Sequence, residues 1–159
     1  MNRVMVHAVE MEIPEWIKPL KEFSLKVLSI LKKDKWDLSI LLCGDKTIKD
    51  LNMIYRGKNE ATDILSFPFG EAGNFPSEKS MRSGRYTPGD IAISLDTMRD
   101  NARHFGVEED EELRRLLIHG ILHLNGMDHE TNDEAEPMLQ LQEKILAKLS
   151  KKQILGRNA

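Results

Sequence analysis

His119, His123 and His129 fall within one eleven-residue segment, His119-Gly120-Ile121-Leu122-His123-Leu124-Asn125-Gly126-Met127-Asp128-His129, and imidazoles at this spacing suit a metal ion. On a helix, positions i and i+4 are offset by about 40° of rotation, so His119 and His123 share one face, a turn apart. Gly126 can take a positive φ without a Cβ clash, which ends the helix and lets the chain double back. That reversal can carry His129 to the same ion from another side. Three neutral imidazoles with an open fourth position describe a catalytic zinc site, because structural zinc is usually closed by four protein ligands. One bound zinc ion is therefore expected, with another divalent transition metal as the alternative.

The spacing follows the zincin pattern H-E-x-x-H-x-x-G-x-x-H with one departure. Gly120 stands where a metalloprotease has its water-activating glutamate, so peptide hydrolysis lacks its usual base. Nothing in the sequence specifies an edge strand beside the metal to hold a peptide.

Further along the chain, an ordered set accompanies the histidines: Tyr55-Arg56-Gly57-Lys58, Thr62-Asp63-Ile64-Leu65-Ser66-Phe67-Pro68-Phe69 and Gly89-Asp90-Ile91-Ala92-Ile93-Ser94. With the histidine segment, this set resembles the YbeY family of bacterial endoribonucleases and rRNA maturation factors. The resemblance runs from about residue 36 to near Leu149; the N-terminal third is similar only in general pattern. It implies a zinc-dependent, single-strand-specific RNase acting in 16S rRNA 3′-end maturation and ribosome quality control. The implied ligands are His119, His123 and His129, and Arg56 is implied as a residue that the activity needs. Implied partners are an rRNA precursor as single-stranded RNA, and the small ribosomal subunit with its assembly factors. Neither DNA nor a membrane is expected.

Arg56 and His119 are thus the expected catalytic residues. A guanidinium near a metal-bound phosphodiester would stabilise charge growing on its non-bridging oxygens. The attacking group is either water activated by the metal or the ribose 2′-hydroxyl, and the sequence leaves both open. Lys58, Arg82 and Arg85 are expected to touch substrate. The last two lie in an irregular stretch from Gly70 to Pro88, where Phe75, Lys79 and Tyr86 are interleaved with them. Such a stretch is either a solvated surface loop or a flap whose cations meet phosphates and whose rings stack on bases. Asp63, Asp90 and Asp128 are turn or capping residues, or else they hold a ligand histidine's second ring nitrogen. A non-catalytic assembly factor stapled by zinc is the competing reading, with a metallopeptidase behind it.

The elements that must position these groups read as a small α+β domain. Its 159 residues suffice for one core, and the formal charge of −3 gives no global basic signature, so RNA must be met locally. The lone Cys43 sits in an apolar run as a core residue and suits a reducing, cytoplasmic setting; no signal peptide opens the chain. Strands are expected over Arg3 to Val9, Asp37 to Cys43, Asp63 to Phe67 and Asp90 to Ser94. Helices are expected from near Pro14 past Pro19, from Asp45 to Gly57, from Asp96 to Phe105, through the histidines, and from about Asp133 to Leu149. Asp45 and Asp96 are taken as helix caps, and the acids Glu108 to Glu112 as a solvated helix start. The order βαβαββααα gives about four mixed strands covered by about five helices, with the metal site at a helix end. The tail after about residue 150 is expected to be poorly ordered.

Overall fold

Alternating apolar residues lay down the sheet. In β2 (Trp36–Cys43), Trp36, Leu38, Ile40 and Leu42 point to one face. In β4 (Tyr86–Ser94), Ile91 and Ile93 do the same. With β1 (Arg3–Ala8) and β3 (Ile64–Pro68) they form a four-stranded sheet in the order β1-β2-β4-β3. β1, β2 and β4 are parallel, whereas β3 runs antiparallel along β4, pairing Ile64 with Ile93 and Pro68 with Gly89. The structure is a computed structural model that describes residues 1–68 and 84–156. Among these residues there are five helices: α1 (Ile17–Ile30), α2 (Asp45–Arg56), α3 (Leu95–Phe105), α4 (Glu109–Leu124) and α5 (Pro137–Lys148). None is long and apolar enough to cross a membrane.

The main core joins the Leu38, Ile40, Leu42, Ile91 and Ile93 face to α1 and α4. A smaller cluster of Cys43, Ile48, Leu65, Phe67 and Ala92 seats α2 on the other face. Helix α4 is buried over most of its surface, packing Leu113, Leu117, Ile118, Ile121 and Leu122 into the core, as befits a central helix. A Cβ added at Gly120 would stand 2.8 Å from Ile64 Cδ1 and 3.0 Å from Ile91 Cδ1, so glycine here lets the helix press against the sheet. Cys43 is buried in the core as expected, and burial pushes its thiol up to about 11.

Several local expectations change. Asp45 is the first residue of α2 rather than its cap; its Oδ1 accepts from Ser94 Oγ (2.7 Å) and Thr97 Oγ1 (2.5 Å). Ser94 caps α3, not Asp96, by accepting from Thr97 N. The acids opening α4 are not all solvated. Glu112 is buried, and Asp110 is buried against Arg114 while accepting the Ile154 and Leu155 amides. Those two amides hold residues 154 and 155, so Ile154 is buried where disorder was expected; residues 157–159 lie outside the described residues. The last helix begins at Pro137 instead of Asp133, and β4 takes in Tyr86 to Pro88 from the stretch read as irregular.

Candidate metal centre

Helix α4 ends in a Schellman turn. Met127 N donates to Leu122 O (3.1 Å) and Gly126 N to His123 O (3.0 Å), with Gly126 at φ +87°. The reversal expected from Gly126 therefore forms, and it swings residues 127–129 back across the helix end. His119 and His123 project from one strip of α4 with Nε2 atoms 3.0 Å apart, and His129 closes on them from the turn. Its ring centroid is 5.2 Å from that of His119 and 5.6 Å from that of His123. One nitrogen from each of the three lies within 4.8 Å of the others.

The opposite ring nitrogens decide how this cluster can act. His119 Nδ1 meets Gln142 Oε1 at 2.6 Å, His123 Nδ1 meets Met127 O at 3.1 Å, and His129 Nδ1 meets Thr131 O at 2.8 Å. All three partners are oxygen acceptors, so each neutral ring carries its proton on Nδ1 and turns an Nε2 lone pair inward. Two lone pairs 3.0 Å apart repel unless a cation lies between them. Zinc–nitrogen bonds of about 2.0–2.1 Å in tetrahedral array would space two ligand nitrogens by roughly 3.3 Å. The donor set thus fits a divalent transition metal. Burial holds His119 and His123 below the ordinary imidazole range, which keeps both in the neutral, ligating form; the facing histidines add to this, while Gln142 and Met127 oppose it.

Two clefts meet at the cluster. One, of about 520 Å³, is lined by Arg56, Ser66, Pro68, His119, His123 and Asp128. The other, of about 560 Å³, is lined by Asp63, Glu112, Arg115, His119, His129 and Gln142. His119 and Ile64 line both. The last turn of α2 brings Arg56 to the first cleft, where Nη2 donates to Ser66 O at 2.9 Å and the guanidinium sits 5.1 Å from the Phe67 ring centre. Among the described residues β3 is the last strand of the sheet, and it borders this cleft, so an edge strand does lie beside the histidines although no sequence feature announced it.

The remaining candidates are placed as follows. Lys58 is exposed just beyond α2. Arg85 lines neither cleft; its guanidinium is held by Asp37 Oδ1 (2.7 Å from Nη2) and Met1 O (2.9 Å) at the start of β4. Arg82, Phe75 and Lys79 lie outside the described residues. None of the three aspartates holds a ligand nitrogen. Asp63 accepts from Asn101 Nδ2 and the Ile64 amide. Asp128 accepts the His129 amide and stays 4.0 Å from His123 Nδ1. Asp90 faces a groove with His7 and Ser39 rather than either histidine cleft. The residue that sequence reasoning missed is Gln142. Its signal is a polar side chain on the buried stripe Met138, Gln142, Ile145, Leu146 and Leu149 of the last helix.

Comparison with known proteins agrees over nearly the whole chain. The profile of the family described as Endoribonuclease YbeY matches residues 2–150, which takes in the N-terminal third as well. The Endoribonuclease YbeY of Treponema pallidum is 43% identical over 146 residues, covering 92% of this chain and 89% of its own. That of Treponema denticola is 44% identical over 142 residues, covering 85% and 86%. The solution structure of TM1509 from Thermotoga maritima superposes with a TM-score of 0.62 at 28% identity, over 95% of this chain and 90% of that one. A match of this length, with relatives at this identity and coverage, makes the chain a member of the YbeY endoribonuclease family.

Proposed function

We propose that this protein is a zinc-dependent endoribonuclease that cuts single-stranded RNA, acting in the cytoplasm on the 3′ end of a 16S rRNA precursor and in ribosome quality control. Its partners in this reading are the small ribosomal subunit and its assembly factors. The observation that carries the reading is the three-histidine cluster itself, two of whose members, His119 and His123, line the same open cleft as Arg56. When bound, the cation would supply Lewis acidity and a source of hydroxide near neutral pH. His119, His123 and His129 would hold it, each ring fixed by its Nδ1 acceptor. Arg56 keeps a delocalised positive charge beside the cluster, where it would draw a phosphodiester in and stabilise the charge gained during cleavage. The two clefts sharing His119 and Ile64 offer an unpaired strand a path across the centre. Lys58 would meet the flanking phosphates.

The test is cleavage of single-stranded RNA by wild type and His123→Ala, purified side by side with metal content measured. Metal and cleavage should be lost together in the variant. Full metal occupancy with no cleavage by the wild type would favour the assembly-factor reading. A peptidase gains one point from β3 beside the cluster, but Gly120 faces Ile64 and Ile91 and supplies no base. Release of peptides by the purified protein would revive it.

A further inference from the structure

Gln142 is the only one of the three Nδ1 acceptors that is a side chain, and it comes from a different helix than the ring it meets. It is 7% exposed, and its Oε1 lies 2.6 Å from His119 Nδ1. An amide can face either way, so something must fix the carbonyl toward the histidine. Gln142 Nε2 donates to Glu143 Oε2 at 3.1 Å, and Arg115 grips that carboxylate through Nε and Nη2, each at 3.0 Å. Arg115 Nη1 is held in turn by Glu111 at 3.2 Å. A continuous chain of contacts therefore runs Glu111–Arg115–Glu143–Gln142–His119 between α4 and α5.

The geometry points to Gln142 as the positioning residue of the metal centre: it fixes the tautomer and ring direction of His119, and it does so without adding charge. This rests on reading the three histidines as metal ligands. A carboxylate at this point would accept the same hydrogen bond but would raise the ligand's basicity and offset part of the cation's charge. A neutral amide leaves that charge facing the cleft, where an anionic substrate would meet it.

The experiment compares wild type, Gln142→Leu and Gln142→Glu by two readouts. The first is the His119 tautomer in zinc-free protein, from ¹⁵N NMR of the imidazoles. The second is zinc affinity by competition with a chromophoric chelator. Wild type should hold His119 as the Nδ1–H tautomer. Gln142→Leu should lose that preference and bind zinc about 10–100-fold more weakly. Gln142→Glu should restore the tautomer and bind zinc at least as tightly as wild type, which would exclude lost packing as the cause. The inference is overturned if Gln142→Leu keeps both the tautomer and the affinity, or if Gln142→Glu loses zinc as badly as the leucine variant. Should the wild type take up no zinc, the metal-centre reading fails on its own, while the tautomers still decide the role of Gln142.

Discussion

Replacing Gly126 isolates the turn that aims His129. Its φ is +87°, and a Cβ built there meets nothing within 4 Å, so substitution costs backbone strain without a clash. That strain is about 1–2 kcal/mol for Ala and up to about 3 kcal/mol for the β-branched Val. Asn, which tolerates the left-handed region, should cost less than either. Gly106 is a matched control: it closes α3 at φ +68°, also with nothing within 4 Å of an added Cβ. Gly106→Ala should carry its strain in full, whereas Gly126→Ala should destabilise the metal-free protein by less, to the extent that its turn relaxes. The difference should reappear once metal is present. The Gly126 variants can relieve strain by unwinding the Schellman turn, which withdraws Met127 O from His123 and shifts His129. Bound metal opposes that escape, so the strain should appear as weaker binding, tenfold for each 1.4 kcal/mol or so. Urea unfolding of chelated protein and zinc competition titrations would measure the two effects separately. The reasoning fails if Gly126→Val matches wild type in both, or if Gly106→Ala weakens zinc binding as much as Gly126→Ala.

Three further outcomes follow from the same geometry. Arg56→Lys should keep the charge but lose the planar fork, lowering RNA cleavage by one to a few orders of magnitude, about 1.4–4 kcal/mol of barrier. Zinc content should not change and RNA affinity should fall far less; an unaltered cleavage rate would remove Arg56 from the chemistry. Gly120→Glu should yield no peptidase and a weakened fold, because its side chain must displace Ile64 and Ile91. Keeping that carboxyl protonated at pH 7 would alone cost about 3.7 kcal/mol from a reference pKa near 4.3; wild-type stability in urea would refute this. Acidification should destabilise the metal-free protein through His119 and His123. Burial places their folded pKa values below the unfolded 6.5, so their contribution is present above that pH and is lost as pH falls through 6.5 toward the folded values. Burial pushes the Glu112 and Asp90 carboxyls up, which acts with the opposite sign in the carboxylate range at lower pH. Unfolding midpoints between pH 7.5 and 5.5 should therefore fall for wild type and fall less for His119→Gln; equal slopes would contradict the assignment.

Local rules determined much of this protein before any tertiary contact was considered. The i, i+4 spacing of His119 and His123 and the positive φ at Gly126 are properties of a few consecutive residues, so the clustering of the three histidines was legible directly. The order of strands and helices was legible for the same reason, since periods of 2 and 3.6 are written into short segments. The N-terminal match of the family, the capping by Ser94 and the burial of Asp110 and Glu112 were missed. The Ser94 cap is itself local, made by Thr97 N three residues on, and was legible in principle; the burial of Asp110 was not, because it reaches Ile154 across 44 positions. The site divides along the same line. Which histidines come together follows from spacing; which oxygen holds the far nitrogen of His119 does not, because α5 supplies Gln142 only after it packs on α4. The sequence placed Gly120 where a protease base would stand, and only the fold showed what faces it: Ile64 of β3 and Ile91 of β4, whose side-chain ends an added Cβ would have to push aside. For the three aspartates the sequence left a turn or capping role beside a bond to a histidine's second ring nitrogen; Asp63 and Asp128 accept local amides, and helix packing puts a neutral amide on His119 instead. Sequence periodicity specifies which face of an element a residue occupies, but the neighbour across that face is set by how the elements pack.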